Sequence, residues 1–382
     1  MKNYLILFSA ILLCYSCKKD PEDPIIADPK PIIHSFQGAI GVNDNSTIFS
    51  VDNNLLICGN TPSGICALKL SKTGSQIWRK DYDAGEGSTA SAIAQTSNGD
   101  IFICGTTYRN ETISNIDVLL IKTNSSGDTV WTKTYGGIKN DYGSYIIPTL
   151  DGNLLICGIS RNYTFVQYGY TFLIKINTNG DTLWSRTFTE DLQIPYHILQ
   201  THTGEFLITG TIEDSTTSGK MNLIKVNNDG LQTWSRKIES ARERWVLSTV
   251  ELPNGDLATC GSINDDVLDQ ISLVKTDGLG NIIWEKEYGE THLAETGYAI
   301  QINADGTFII TGLSFENHSG QTGIVLLKVD ENGDQLIRKD FGFALIDYGK
   351  NILKDTNDDN IITGQYNGAI FLTRTDNNCV FK

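Results

Sequence analysis

Residues 123–137 read TNSSGDTVWTKTYGG, and residues 178–188 echo them as TNGDTLWSRTF. Both place a Gly-Asp turn just ahead of a tryptophan, with an aromatic four residues beyond it. A turn of this kind feeding an apolar-aromatic run reads as the last corner of a hairpin. Working outward, residues 143–188 contain GSYIIPT, the turn LDGN, LLICGIS, a longer connection, TFLIKIN, the turn TNGD and TLWSRTF. Four short strands joined in this way make an antiparallel meander. LLICG and FLIKI are apolar at consecutive positions, whereas a sheet with one wet face would alternate, so these sheets are covered on both faces.

The unit recurs at steps of mostly 50–53 residues, a period that signals propellers or solenoids. A glycine ends an apolar run at Gly59, Gly105, Gly158, Gly210, Gly261, Gly312 and Gly364. A basic residue sits in the next run at Lys69, Lys122, Lys175, Lys225, Lys275, Lys328 and Arg374. Trp78, Trp131, Trp184, Trp234 and Trp284 follow, with Ile337 in the sixth place. Two landmarks independently count seven. A solenoid would need polar capping repeats and would leave the chain ends far apart. The ends favour a ring. The seventh repeat has three strands, YGKNILK, NIITGQ and AIFLTRT, after which DNNCVFK runs out, while Ile32–Gln37 is a fourth strand without a repeat of its own. Phe36 lies 23 residues before Gly59, as Tyr135 does before Gly158. The expected fold is therefore all-β: a seven-bladed β-propeller of four-stranded antiparallel blades over residues 32–382, closed by the N-terminal strand completing blade 7. The tryptophans then lie on outermost strands and wedge against the adjacent blade.

The 382 residues are 40% apolar and 20% charged, with 36 glycines, which suits a turn-rich globular chain with a real core. A net charge of −15 argues against a nucleic-acid partner, whose phosphates it would repel, and favours solubility. A monomer is expected.

Residues 1–16 carry Lys2, an apolar stretch from Tyr4 to Cys14, and Ser16. The stretch is too short to span a bilayer permanently and reads as a secretory signal. With Cys17 at the cleavage point it resembles the lipobox of bacterial lipoproteins, which implies that Cys17 is lipidated and anchors the protein to a membrane. Residues 17–31, rich in proline and charge, form a flexible tether. Its KKDPED stretch resembles the signal that sends some Gram-negative lipoproteins to the outer face of the outer membrane. That implies display on the cell surface, with the periplasmic face as the alternative.

The motif LIKxxxxGDxxWxxxY, as it stands at 120–135, resembles the repeats of pyrroloquinoline-quinone-type propellers, including the lipoprotein that assists outer-membrane barrel assembly. It is still more similar to the propeller repeats of secreted bacterial proteins. The resemblance spans about residues 32–375 and implies a fold rather than a chemistry. Quinoproteins of that superfamily usually have eight blades, often a vicinal cysteine pair, and calcium beside the cofactor. Seven repeats and no Cys-Cys pair set this chain apart, and no cofactor is expected.

No catalytic residue stands out. Cys58, Cys104, Cys157 and Cys260 share one repeat position with Thr209, Thr311 and Thr363, which calls for a small buried side chain rather than a thiolate. Cys379 falls in the tail and is expected free. His34, His197, His202, His292 and His318 are scattered without metal-ligand spacing, so no metal site is expected. Asp355–Asn360 reads DTNDDN but lacks the glycine and glutamate of a calcium loop, and is taken as a hairpin turn.

What remains is a face. Short turns gather on one side of the ring, and the long connections emerge on the other, where propellers bind. Tyr142, Tyr196, Trp245, Tyr298 and Tyr348 start innermost strands and are expected to ring the mouth of the central channel. Arg161, Arg242, Arg244, Glu295 and Asp347 lie nearby in sequence. Such a set either stacks on a sugar or peptide or plugs the channel as packing. Tyr196 and Tyr298 sit two residues out of register with the other three. The function expected is a non-catalytic binding or scaffold propeller for glycan or protein. The alternatives are a propeller enzyme of the lyase, hydrolase or quinoprotein kind, and a periplasm-facing partner in outer-membrane assembly.

Overall fold

Each repeat forms one antiparallel sheet with its strands in chain order; in the third, Asn140–Pro148, Leu154–Arg161, Tyr170–Ile176 and Thr182–Phe188 lie side by side. The computed structural model describes residues 33–36, 46–108, 116–161, 169–189, 194–212, 219–240, 242–264, 268–316, 320–344 and 347–382. The leader, Cys17, the tether, Ile32, Gln37 and His318 lie outside them. Among the described residues there are seven such four-stranded sheets, here blades 1 to 7, and they stand in a ring as a seven-bladed β-propeller. The first strand of every blade touches the first strands of both neighbours, and Tyr348–Lys354 of blade 7 returns to Thr47–Phe49 of blade 1. First strands are thus innermost.

Consecutive apolar residues explain the ring. Leu154 to Cys157 are all fully buried, so both faces of the strand need cover. One blade cannot supply that itself. Seven apolar clusters do, each shared between adjacent blades. Leu55, Ile57 and Leu68 of blade 1 pack on Ile361, Ile370 and Leu372 of blade 7, so the last gap is filled like the others.

The motif around Trp131 makes the join between blades directional. Trp78, Trp131, Trp184 and Trp284 lie across the turn glycines Gly127, Gly180, Gly230 and Gly333 of the following blade, where a Cβ would come within 2.7–3.1 Å of the indole. Those glycines have φ of +74 to +82°, conformations that L side chains adopt with strain. The aromatic four residues later completes the clasp. Tyr82, Tyr135 and Tyr288 donate their hydroxyls to the carbonyls of Gly127, Gly180 and Gly333 at 3.0, 2.8 and 2.7 Å.

The repeated basic residue makes a second join. Lys69, Lys122, Lys175, Lys225, Lys328 and Arg374 pair with Asp52, Asp100, Asp151, Glu205, Asp305 and Asp355 in the first turn of their own blades, at 2.6–3.1 Å. Lys122 and Lys175 also donate to Thr178 O and Asn228 Oδ1 of the next blade. Burial raises the Asp52 carboxyl, but hydrogen bonds from Lys69 and Ser50 outweigh it and hold it at about 2.

The two chain ends share blade 7. His34–Phe36 lies antiparallel to Ala369–Thr375 as the fourth strand, with Phe36 opposite Ile370 just as Tyr135 lies opposite Val118. The tail DNNCVFK does not run out. Asp376 to Val380 repeats the blade turn, Cys379 holds the glycine position at φ 58°, and Phe381 pairs with Thr375 as Gln335 pairs with Val329. Cys379 is free, as are the other described cysteines, but it is fully buried rather than a loose tail thiol. The apolar cluster between blades 6 and 7 holds it beside Phe381, which meets Phe341 edge-on at 4.9 Å.

Two outcomes follow for stability. Gly180→Ala is expected to cost about 2 kcal/mol, from left-handed strain plus displacement of Trp131. Gly152→Ala, at φ +80° with open space around it, should cost only about 1 kcal/mol. Urea melts separate the two, and equal losses would show that the indole does not rest on Gly180. Deleting residues 31–38 should lower the melting temperature by roughly 5 °C or more. An unchanged melt would show that the ring does not need this strand.

Candidate functional site: the aromatic mouth of the channel

The landmark glycines set up the channel mouth. At Gly105, Gly158, Gly261, Gly312 and Gly364 a Cβ would come 1.8–2.1 Å from the carbonyl oxygen of Thr89, Tyr142, Trp245, Thr296 and Tyr348 respectively. Only glycine admits so close an approach. The approach comes with a β-bulge: six innermost strands carry one extra residue directly after the pair that contains the landmark glycine. The bulged residues are Ser91, Ser144, Tyr196, Leu247, Tyr298 and Lys350. A bulge re-aims its side chain out of the regular alternation, and bulges recur beside binding sites.

This accounts for the register of the five aromatics. Tyr196 and Tyr298 are bulged residues, whereas Tyr142, Trp245 and Tyr348 stand two residues earlier on their own strands. The offset lets bulge meet pre-bulge across a gap between blades. Tyr196 of blade 4 packs edge-on against Trp245 of blade 5, with centroids 6.2 Å apart and planes at 80°. Tyr298 of blade 6 meets Tyr348 of blade 7 at 6.1 Å and 55°. Lys350, the bulged residue of blade 7, sets its ammonium 3.5 Å above Tyr298 and 5.7 Å from Tyr348. Such a cation–π contact places the Lys350 charge beside the two rings at the mouth. Tyr348 donates to Gln365 Oε1 at 2.6 Å, and Tyr142 lies 5.6 Å under the Arg161 guanidinium. All five aromatics are partly exposed.

Arg161 apart, the charged residues near them in sequence are used elsewhere. Arg244 is buried, and its Nη2 reaches Glu285 on the outermost strand of blade 5 at 2.8 Å. Arg242 pairs with Glu287 on the same strand. In blade 6 the first of these bridges recurs with its charges exchanged: Glu295, fully buried, is held by Arg338. Burial pushes the Glu295 carboxyl up against that pull. Blade 3 has Asp141 and Ser185 at the same two positions, and both line a cleft of about 480 Å³ between blades 2 and 3. Asp347 is also fully buried and accepts from Asn367 N at 2.9 Å. The structure therefore gathers the aromatics and Lys350 at the inner strands, and turns Arg242, Arg244 and Glu295 toward the outer ones. Lys350 was missed in the sequence. Its signal was its position, nine residues after Phe341 and in the slot that Tyr196 and Tyr298 fill in their blades.

The histidines are dispersed. His34 covers Gly74 of blade 1, and His202 meets Glu251 at 2.9 Å in the turns of the opposite face. His197 stands edge-on to Tyr145 at 6.3 Å, its imidazole pushed down to about 4 by burial.

No protein-family model and no curated protein matches the chain. Solved structures share its shape. It is similar to the Pan2 WD40 domain of Neurospora crassa at 10% identity and a TM-score of 0.54, over 87% of this chain and 88% of that one. It is similar to the polysaccharide lyase Uly1 at 10% identity and a TM-score of 0.52, over 89% and 91%. A puromycin hydrolase matches at 10% identity and a TM-score of 0.52, over 86% of this chain but 52% of its own length. At these identities the likeness is one of fold: the chain shares the β-propeller architecture with enzymes and binding domains alike.

Proposed function

We propose that the chain is a lipid-anchored envelope propeller that binds a glycan at the aromatic mouth of its channel without transforming it. The observation that carries this is the placing of Tyr196–Trp245 and Tyr298–Tyr348 on bulged inner strands, partly exposed, with Lys350 beside them. Sugar rings present C–H faces to aromatic planes and hydroxyls to nearby donors, and this set offers both. A protein loop with exposed aliphatic and acidic groups is the other ligand such a surface suits.

The leader, Cys17 and the tether support a membrane anchor at the outer membrane, with display on the cell surface. The direction of the chain supports an orientation. His34 enters blade 7 at the end where the short turns gather, against Gly74 of blade 1. A tether attached at that end leaves the aromatic mouth, on the opposite face, free to meet a polymer outside.

Trp245→Ala is expected to weaken glycan binding about 30-fold, the loss typical of a central aromatic anchor. Affinity electrophoresis against a panel of soluble polysaccharides measures it, with Leu150→Ala on the turn side as the control. A retained polysaccharide whose mobility shift survives both Trp245→Ala and Tyr298→Ala would move the site elsewhere. Cys17→Ser should transfer the protein from the membrane fraction to the soluble one; continued sedimentation with membranes would remove the anchor.

A further inference from the structure

The ion pair that braces blade 6 from its innermost to its outermost strand has only its acid in blade 3. In blade 6, Arg338 donates from both Nη atoms to the carboxylate of the buried Glu295, a guanidinium fork closed on an acid. Its Nε donates to Asp340 at 2.8 Å. Register carries the comparison across. Counted from the basic landmark, the pairs Leu327–Arg338 and Val325–Asp340 of blade 6 correspond to Ile174–Ser185 and Phe172–Thr187 of blade 3. Glu295 and Asp141 each stand two residues ahead of a glycine that pairs with the landmark glycine, Gly297 and Gly143. Blade 3 therefore keeps a carboxylate at Asp141 and has Ser185 where the guanidinium would originate.

The missing group leaves a space and a charge. The space is the cleft of about 480 Å³ between blades 2 and 3, within the range of small-molecule sites. The charge is Asp141, which lines the cleft and is 8% exposed. Its Oδ2 accepts from Gly137 N at 2.9 Å, and among the described residues no cation pairs with it. A carboxylate so far out of water is stabilised by a cation held against it. Asp117 of blade 2 stands across Gly136, where a Cβ would clash with both acids, but it has a partner of its own. Val118, Phe172 and Ile174 give the cleft apolar walls, and Ser185 opens it to solvent at the outer rim. Arg186 also lines it, but its Nη1 donates to Ser185 O at 2.8 Å and its guanidinium lies 5.5 Å over Trp184. Blade 6 carries Lys339 at that position beside Arg338, so a cation there is compatible with a guanidinium on the acid.

We propose that this cleft binds a guanidinium on a short aliphatic stem, from a small alkylguanidine or from an arginine side chain of a partner polypeptide. The guanidinium donates to Asp141, and the Thr187 hydroxyl accepts from it as Asp340 accepts from Arg338 in blade 6. The stem lies on Phe172 and Ile174. A planar fork matches the geometry that Arg338 makes with Glu295, which an ammonium cannot reproduce. The site does not depend on what the aromatic mouth binds.

The test is calorimetric titration of the full-length protein with n-propylguanidinium and with n-propylurea, which has the same shape without the charge. The guanidinium should bind saturably, and the urea at least roughly tenfold more weakly, about 1.4 kcal/mol. Nα-acetyl-L-arginine N-methylamide separates the two sources. Binding at least as tight as that of n-propylguanidinium assigns the cleft to an arginine side chain, and weaker binding assigns it to a small alkylguanidine. Asp141→Asn, which can still accept from Gly137 N, should weaken guanidinium binding at least roughly tenfold. Ser185→Arg rebuilds the brace of blade 6. It should close the cleft to n-propylguanidinium and raise the melting temperature by roughly 1 °C, a gain lost when Asp141→Asn is added. No saturable binding of either guanidinium, equal binding of the urea, or binding that survives Asp141→Asn or Ser185→Arg would each overturn the proposal.

Discussion

No blade of this protein can hide its own surface. The second and third strands are apolar on both faces, and a four-stranded sheet has nothing of its own to lay over either. Every blade therefore relies on two neighbours, a debt passed from gap to gap until the chain ends meet. That constraint makes the joins between blades more important than the strands. The joins are polar as well as apolar: an indole across a turn glycine, a phenol to that glycine's carbonyl, and a lysine between two turns. Apolar packing alone would let neighbouring sheets slide. The directional contacts hold each blade at one height and angle relative to the next.

Most of that architecture could be read in the sequence because the repeat prints its joins as residue types. Glycine, lysine, tryptophan and the aromatic four residues beyond it are all needed for contacts between blades, so their period reports the blade count directly. What could not be read was what each landmark does. The glycine within the second strand looked like the end of an apolar run, but it is the space into which the bulged inner strand pushes a carbonyl. The lysine looked like a marker, and its turn carboxylate hid because it stands at either of two positions, Asp52 in one blade and Asp100 in another. The tail was misjudged for a similar reason. Cys379 stands where the repeats have glycine, which conceals a turn that is otherwise standard.

The candidate site was legible as composition and illegible as direction. Five aromatics at the start of inner strands could be listed from the sequence, but two of them were out of step, and a period of two could not say why. A bulge changes which way a side chain points without changing what it is. Arg242, Arg244 and Glu295 show the opposite failure. They lie within a few residues of the aromatics in sequence, yet each is bonded to an outer strand. Sequence proximity at a strand end says little about which edge of a blade a long side chain will seek. The exchange of charge between Arg244–Glu285 and Glu295–Arg338 indicates that this position is a strut, chosen for opposite signs rather than for contact with a ligand.

A strut that is absent leaves room, and this links the two clefts. Where blade 3 has Asp141 opposite Ser185, the space that an ion pair fills in blades 5 and 6 is open. In blade 5 Lys275 and Asp256 of its first turn do not form the ion pair that fills the other blades, and a cleft stands beside Lys275. Each opening stands where one polar join of the repeat is missing while the surrounding joins remain intact, so the ring bears it without losing cover for any apolar face. In a repeat fold a paired position can be unpaired at the cost of a single bridge, and a half-exposed bridge contributes little. The places where the repeat is broken at a polar join, rather than at an apolar one, are therefore where a seven-fold scaffold can acquire a site at least expense to its stability.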